Sequence, residues 1–380
     1  MKREQIATFL NSAIQEVVGE SALVTEDLSN IVTIGNTVPT GQLDAIFNKI
    51  IDKIGKTVIV SKEYEGSPLG LMVDEWVFGS ILEKIRIDIP ETTTNDTWSL
   101  VKGESYDCFK FTPPTIRAKY FEKAVTFEIE MSFTEIQMRD SFRSPESANA
   151  FWNGVENSIQ KSIKANTELL EYRALINMVG LKIHNKNNVI NLLNGYKTES
   201  GDTSITSATA LGNADFLRYA GRVISQYKDY IRKLSMLFND DGYITNSNSA
   251  DEKLVLLTDF DKAMKFNLLS NVFNKEFIDI GTYTAVPNWQ GFGNEINFEN
   301  NSKIDLTIKN LNGENVTVTA SGIIGVLFDI NACSICRKNF RTLSMPVPKG
   351  EFINYWYKFD GMFINDTAEN FIVFTIADSV

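Results

Sequence analysis

Apolar residues recur along the chain with two different periods, and the change between them marks out its parts. Near the start, Ile6, Leu10, Ile14 and Val17 fall every three or four positions, the spacing of one apolar helix face. A loose polar stretch follows, then QLDAIFNKIIDKIG predicts a second short helix closing at Gly55. TVIVSKEY at 57–64 reads as a strand, and a Gly-Ser-Pro turn at 66–68 ends it. EKIRIDIP sets Ile85, Ile87 and Ile89 on one face and Arg86 and Asp88 on the other, until Pro90 stops the run. After a polar tip, ETTTNDTWS, and the pair Pro113-Pro114, AVTFEIEMSF alternates without a break. Val125, Phe127, Ile129, Met131 and Phe133 face one way, and Thr126, Glu128, Glu130 and Ser132 the other. The pattern predicts two long two-faced strands joined by an excursion. A hairpin with one apolar face is marginal in water without a covering layer. No helix interrupts this stretch, so either the rest of the chain folds back over it or a neighbouring subunit covers it.

The period then becomes helical. Ser144-Pro145-Glu146 supplies a capping hydroxyl, a proline suited to the first helical position and an acid at the positive dipole end. Phe151, Val155, Ile159, Ile163, Leu170, Ala174 and Met178 continue the stripe as far as Gly180. Such a helix, about 145–179, is about 52 Å long at ~1.5 Å per residue, a spine rather than an ordinary core helix. Residues 181–212 are polar and form the best internal boundary. A helix from Asn213 to Phe238 ends at Asp240-Asp241-Gly242, and KLVLLT then reads as a buried strand leading into another helix. KIDLTIKNLNGENVTVTA is a hairpin turning at Asn312-Gly313. IIGVLF, EFINYWYKFDGMFIN and NFIVFTIA close the chain as strands.

Composition removes several functions. With 43% hydrophobic residues over 380 positions the chain has enough apolar surface to fold, which excludes pervasive disorder. Forty-eight acids against 37 bases give a net charge of −11, the wrong sign for a surface built to neutralise phosphates. One histidine, His184 in KIHNKNN, and three cysteines, Cys108, Cys333 and Cys336, are too few and too scattered for a tetrahedral zinc site or a histidine-dependent triad. Cys333 and Cys336 form a C-x-x-C after a strand-like run, a redox pattern only where it opens a helix. No phosphate loop occurs, and GFGNEI at 291–296 lacks the third glycine and the preceding strand of a dinucleotide site. Glu128/Glu130 follow from strand alternation. Tyr355, Trp356, Tyr357 and Phe359, with no basic patch around them, read as core or interface rather than as a base-stacking platform. No run approaches a membrane span, and the start carries no apolar signal region. No metal or cofactor is expected.

The order of these parts resembles the Hong Kong 97-like fold of tailed-phage major capsid proteins, closest to those of small short-tailed phages. The likeness rests on NKIIDKIGKTVIV entering the excursion, SANAFWNGVENSIQKSIKANTELLEYRAL as the spine, and FRTLSMPVPKGEFINYWYKFDGMFI with AENFIVFTIAD returning the chain. The resemblance implies an α+β fold with an N-terminal arm (1–59), an extended β-hairpin E-loop (60–122), a peripheral domain with the spine helix (123–205), an axial domain (206–330) and return strands (331–380). It implies a structural protein and not an enzyme. Its copies join as hexamers and pentamers in an icosahedral or prolate shell around double-stranded DNA, each E-loop lying over a neighbour. The implied partners are further copies, a portal protein at one vertex and packaged DNA held without sequence-specific contacts. A separate scaffolding protein is expected too, because the short N-terminal region leaves no room for a built-in one. There is no membrane partner. The shell is assembled in the host bacterial cytoplasm and ends in the virion. Trp76, Trp98 and Tyr106, aromatics within the excursion, are the expected inter-subunit contacts. Two other readings stay open: an encapsulin-type non-viral shell, and a soluble α/β enzyme using Cys333 and Cys336 as a redox pair.

Overall fold

The computed structural model of the chain describes residues 3–19, 68–72, 82–90, 96–104, 111–121, 124–134, 145–269, 281–290 and 297–378, with isolated positions between 23 and 49 and at 92 and 109. Of the expected helix at 42–55 only positions 42, 45, 46 and 49 are described, all of them helical, with Ile46 buried; the strand at 57–64, the Phe151 side chain and the glycine cluster at 291–296 lie outside the described residues.

In chain order the elements are α1 (Arg3–Val17), β1 (Leu82–Ile87), β2 (Ile116–Phe121), β3 (Ala124–Thr134), α2 (Pro145–Asn185), β4 (Val189–Asn191), α3 (Leu192–Ser200), α4 (Ala214–Ile231), β5 (Glu252–Leu257), α5 (Thr258–Leu269), β6 (Thr284–Val286), β7 (Ile304–Lys309), β8 (Asn315–Ala320), β9 (Ile323–Asp329), β10 (Cys333–Val347), β11 (Phe352–Asn365) and β12 (Phe371–Thr375), two single-turn α-helices and one 3₁₀ turn aside. They divide into two compact units. One holds residues 1–77, 124–171 and 335–362, the other 78–123, 172–334 and 363–380.

In the first unit a three-stranded sheet runs in the order β10-β11-β3. The two-faced strand AVTFEIEMSF does not pair with EKIRIDIP, as its sequence suggested; its partner is β11, which alternates in the same phase. Phe127, Ile129, Met131 and Phe133 stand opposite Phe359, Tyr357, Tyr355 and Ile353 on one face. On the other face the Thr126 hydroxyl donates to Asp360 at 2.7 Å, Ser132 to Asn354 at 2.6 Å, Trp356 Nε1 to Glu130 at 3.1 Å, and Lys358 pairs with Glu128. Cross-strand matching on both faces fixes the register. The aromatic run is therefore core, with Tyr355, Tyr357 and Phe359 buried against Val155, Ile159 and Ile163 of α2 and Leu10 and Ile14 of α1.

Helix α2 runs 41 residues and does not stop at Gly180. That glycine instead faces β7 in the second unit, where a Cβ would make ordinary van der Waals contact with Ile308 and Leu306 at 3.5 and 3.6 Å. The helix ends at Asn185, and Lys186 and Asn188 take positive φ. The second unit is centred on a five-stranded sheet, β4-β12-β9-β5-β6, whose strand β9 is buried along its full length. IIGVLF is uniformly apolar because both its faces are covered. Leu192 and Leu193 of α3, Phe216, Leu217 and Ile224 of α4 and Phe260 of α5 pack on this sheet. Helix α4 is shorter than expected, giving way after Ile231 to a loop. The hairpin β7–β8 forms with a five-residue loop, 310–314, between the paired Lys309 and Asn315.

Two outcomes follow for the first unit. A Cβ at Gly361 would meet Phe127 at 2.7 Å and Leu170 at 2.9 Å, so Gly361→Ala is expected to cost about 1–3 kcal/mol in denaturant unfolding. Burial of Asp360 favours its neutral form, yet donors from Arg341, Asn339 and Thr126 win and bring its pKa down to about 2. A folded pKa below the unfolded value gives stability that is present above about pH 4 and lost as the pH falls toward 2. Asp360→Asn should therefore lower stability by about 1–2 kcal/mol at pH 7 and by little at pH 2, read from unfolding curves at both.

Candidate functional site

The excursion's described strands, β1 and β2, pair antiparallel with Ile85 opposite Ala118, Arg86 opposite Arg117 and Ile87 opposite Ile116. Directly paired residues share a face. One face thus carries Glu83, Ile85, Ile87, Ile116, Ala118 and Tyr120, the other Lys84, Arg86, Arg117 and Lys119.

The orientation is the reverse of a normal sheet on a core. Ile85 is 61% exposed, Ile87 64% and Ile116 60%, while Lys84, Arg86 and Lys119 of the charged face are turned inward and Arg117 stays exposed beside Asp88. The charged face meets the turn after β11, where the Asp366 side chain is wholly shielded from solvent. Asp366 accepts from Lys84 Nζ at 3.2 Å and Arg86 Nη2 at 3.0 Å, and Lys119 Nζ lies 3.3 Å away. Arg86 also pairs with Glu369. Lys119 reaches Asp241 at 2.8 Å and the Thr367 hydroxyl at 2.6 Å, and Lys84 donates to the Asn331 carbonyl at 2.9 Å. The guanidinium groups of Arg86 and Arg117 lie over the Tyr243 ring, 5.5 and 4.8 Å from its centre, in cation–π contact with it. The turn holds the carboxylate in place: Asp366 N donates to the Ala332 carbonyl at 2.8 Å, and Ala368 N donates to Asp366 Oδ1 at 3.1 Å.

The electrostatics agree with this geometry. Burial opposes ionisation of Asp366, but Lys84, Lys119 and Arg86 together outweigh it and hold its pKa below the usual carboxylate value. Glu369, with Arg86 as its close cation, is raised by burial. Asp240, beside Asp241, turns the other way. It takes Lys182 Nζ of α2 at 3.0 Å, both side chains buried, and Asn187 Nδ2 at 2.5 Å. Burial lowers the Lys182 pKa despite Asp240.

The sequence-derived contacts fall unevenly on this site. Trp98 lies in a single 3₁₀ turn, Asp96–Trp98, and is fully exposed. Trp76 and Tyr106 lie outside the described residues. The acids Asp241, Asp366 and Glu369 were not singled out from sequence, although four cations on one hairpin face of an acidic chain were the available signal. The redox reading of Cys333 and Cys336 fails on geometry. The pair opens strand β10, not a helix, so residues three apart point to opposite faces. Burial also pushes the Cys333 thiol far above its ordinary range, away from the reactive thiolate. His184 is exposed on the last turn of α2. Among the described residues no group of three or more His, Cys, Asp or Glu side chains is arranged to hold a metal, and no helix is long and apolar enough to cross a membrane.

The site is a cluster of ion pairs that holds down a hairpin whose apolar face is exposed. The model of the Phi29-like phage major capsid proteins matches residues 6–375. The chain belongs to that family. No curated protein sequence matches it. Among solved structures it is similar to a chain in the capsid structure of Staphylococcus phage Andhra, at 13% identity and a TM-score of 0.54, covering 81% of this chain and 83% of that one. It is also similar to a chain in the structure of head fiber and inner core protein gp22 of native bacteriophage P68, at 15% identity and a TM-score of 0.51, covering 82% and 85%. The fold is the Hong Kong 97-like arrangement of phage capsids, with helices and sheets mixed as expected. The function is that of a phage major capsid protein, a structural subunit of the virion repeated many times in a shell. The encapsulin and redox-enzyme readings give way to it.

Neutralising Asp366 tests the hairpin's attachment. Removing one partner of a buried charge cluster costs about 3 kcal/mol or more, so Asp366→Asn should speed amide exchange in β1 and β2 about a hundredfold. Exchange in β9 and β12 should stay at the wild-type rate.

Proposed function

We propose that the capsid protein assembles as hexamers and pentamers into a closed icosahedral or prolate shell around double-stranded DNA, and that the hairpin is its interlocking arm. The observation that carries this reading is the inverted hairpin. Its charged face is satisfied within its own chain, and its apolar face, Ile85, Ile87, Ile89 and Ile116, is left in water. Completing the burial of these four side chains is worth on the order of 4–7 kcal/mol, enough to favour association when repeated around a ring. A second copy is the partner present at every position of a shell. The arm, residues 60–122, then lies over a neighbour as the E-loop, with 123–205 and 331–380 forming the peripheral domain and 206–330 the axial domain. Trp98, exposed at the tip, joins this contact together with Trp76 and Tyr106, since aromatics are enriched in interface cores.

The partners follow from the same reading. A separate scaffolding protein guides curvature, a portal protein occupies one vertex, and assembly proceeds in the host bacterial cytoplasm. DNA is enclosed without sequence-specific contacts, because a chain of net charge −11 does not bind phosphates tightly and leaves the genome free to enter and leave.

Placing a charge on the arm's apolar face tests this directly. Ile87→Asp should abolish shells in electron micrographs of the expressed protein, alone or with its scaffold, while circular dichroism of the soluble subunit stays as in the wild type. Shells of normal number and size from that variant would remove the arm from the interface.

A further inference from the structure

An arm that inserts into a neighbour needs a receiving surface, and in a ring of identical copies that surface differs from the arm itself. It must be apolar and exposed on every copy. Away from the hairpin and its tip, the exposed large apolar side chains among the described residues stand far apart along the sequence, except for a pair on β10, Leu343 and Met345, and one larger group. That group is Tyr230, Leu234, Met236, Leu237 and Ile244, five side chains within fifteen residues at the end of α4 and in the loop after it.

Their exposure is built into the loop. Phe238 is buried and its carbonyl accepts from Phe371 N at 2.9 Å, tying the loop to β12. Asn239 holds the Tyr243 backbone from both sides, Nδ2 donating to its carbonyl at 2.7 Å and Oδ1 accepting from its N–H at 3.0 Å. Ser235 and Thr245 exchange two backbone hydrogen bonds, which brings Met236 beside Ile244. Leu237, 73% exposed, follows on a turn capped by the Ser235 hydroxyl. An apolar group anchored outward in this way marks a contact surface, and methionine adapts well to a partner's shape.

Charge and position select the occupant. Exposed Lys233 lies beside Leu234 on the patch and exposed Glu83 lies beside Ile85 on the arm, so this pair of opposite charges can meet across the contact, while Asp229 at the patch's other edge is already paired with Arg232. The loop also bears Asp241 and Tyr243, which support the chain's own hairpin. A neighbour's arm seated on the patch would therefore lie alongside the resident arm, and successive arms would overlap like shingles. We propose that residues 230–244 are the docking surface for the hairpin of a second copy, an inference that rests on the reading of the hairpin as an inter-subunit arm.

Site-specific photo-cross-linking in assembled shells tests both levels. Ile87→benzoylphenylalanine, or Tyr120→benzoylphenylalanine should the first variant not assemble, is irradiated in shells made from a mixture of isotopically light and heavy subunits. The expected product is a covalent dimer of light and heavy chains, with the captured peptide lying within 230–247. A mixed dimer captured elsewhere overturns the docking surface and keeps the interlocking arm; capture confined to single chains overturns both. As a second measurement, Leu237→Asp should reduce shell yield at least tenfold with amide exchange in β9 and β12 unchanged, and wild-type shell yield from that variant overturns the docking surface.

Discussion

One buried carboxylate sets the direction of the arm. Asp366 sits in a turn that fixes its position through two backbone hydrogen bonds, and it draws Lys84, Arg86 and Lys119 from both strands of the hairpin. Burying a charge is expensive, and it is sustained here because three cations and a backbone N–H surround it. With the charged face drawn inward, strand alternation forces the isoleucines outward. The exposed apolar surface is thus a geometric consequence of satisfying the charges.

This separates the two attachments of the arm by their physics. The hold on its own subunit is ionic and directional. The proposed hold on the next subunit is apolar, scales with area and tolerates small shifts in angle. The proposed shell of pentamers and hexamers must bend at slightly different angles from place to place. Rigidity at the root and tolerance at the face suit that requirement.

Much of the fold was legible in the sequence because it rests on periodicity. The long helix, the buried strand IIGVLF, the aromatic core of β11 and the hairpin at Asn312-Gly313 all follow from patterns local to each segment. Pairing was less legible. EKIRIDIP and AVTFEIEMSF look like natural partners, yet the second matches β11 residue for residue on both faces, a correspondence some 220 positions away that no local pattern announces. The site was the least legible part. Two-faced strands are ordinarily read with the apolar side inward, and here the acids that invert this, Asp241, Asp366 and Glu369, lie in loops far along the chain. Gly180 misled as well: it lies near the end of a helix that runs on to Asn185, and ends nothing.

Asp240 and Asp241 look like an ordinary turn, but adjacent peptide units give them opposite grips. Asp240 clasps the last turn of the 41-residue helix through Lys182, and Asp241 clasps the root of the hairpin through Lys119. Two levers pinned to neighbouring residues of one short segment cannot move independently. Any displacement of the helix end or of the hairpin root therefore loads the same short stretch of backbone.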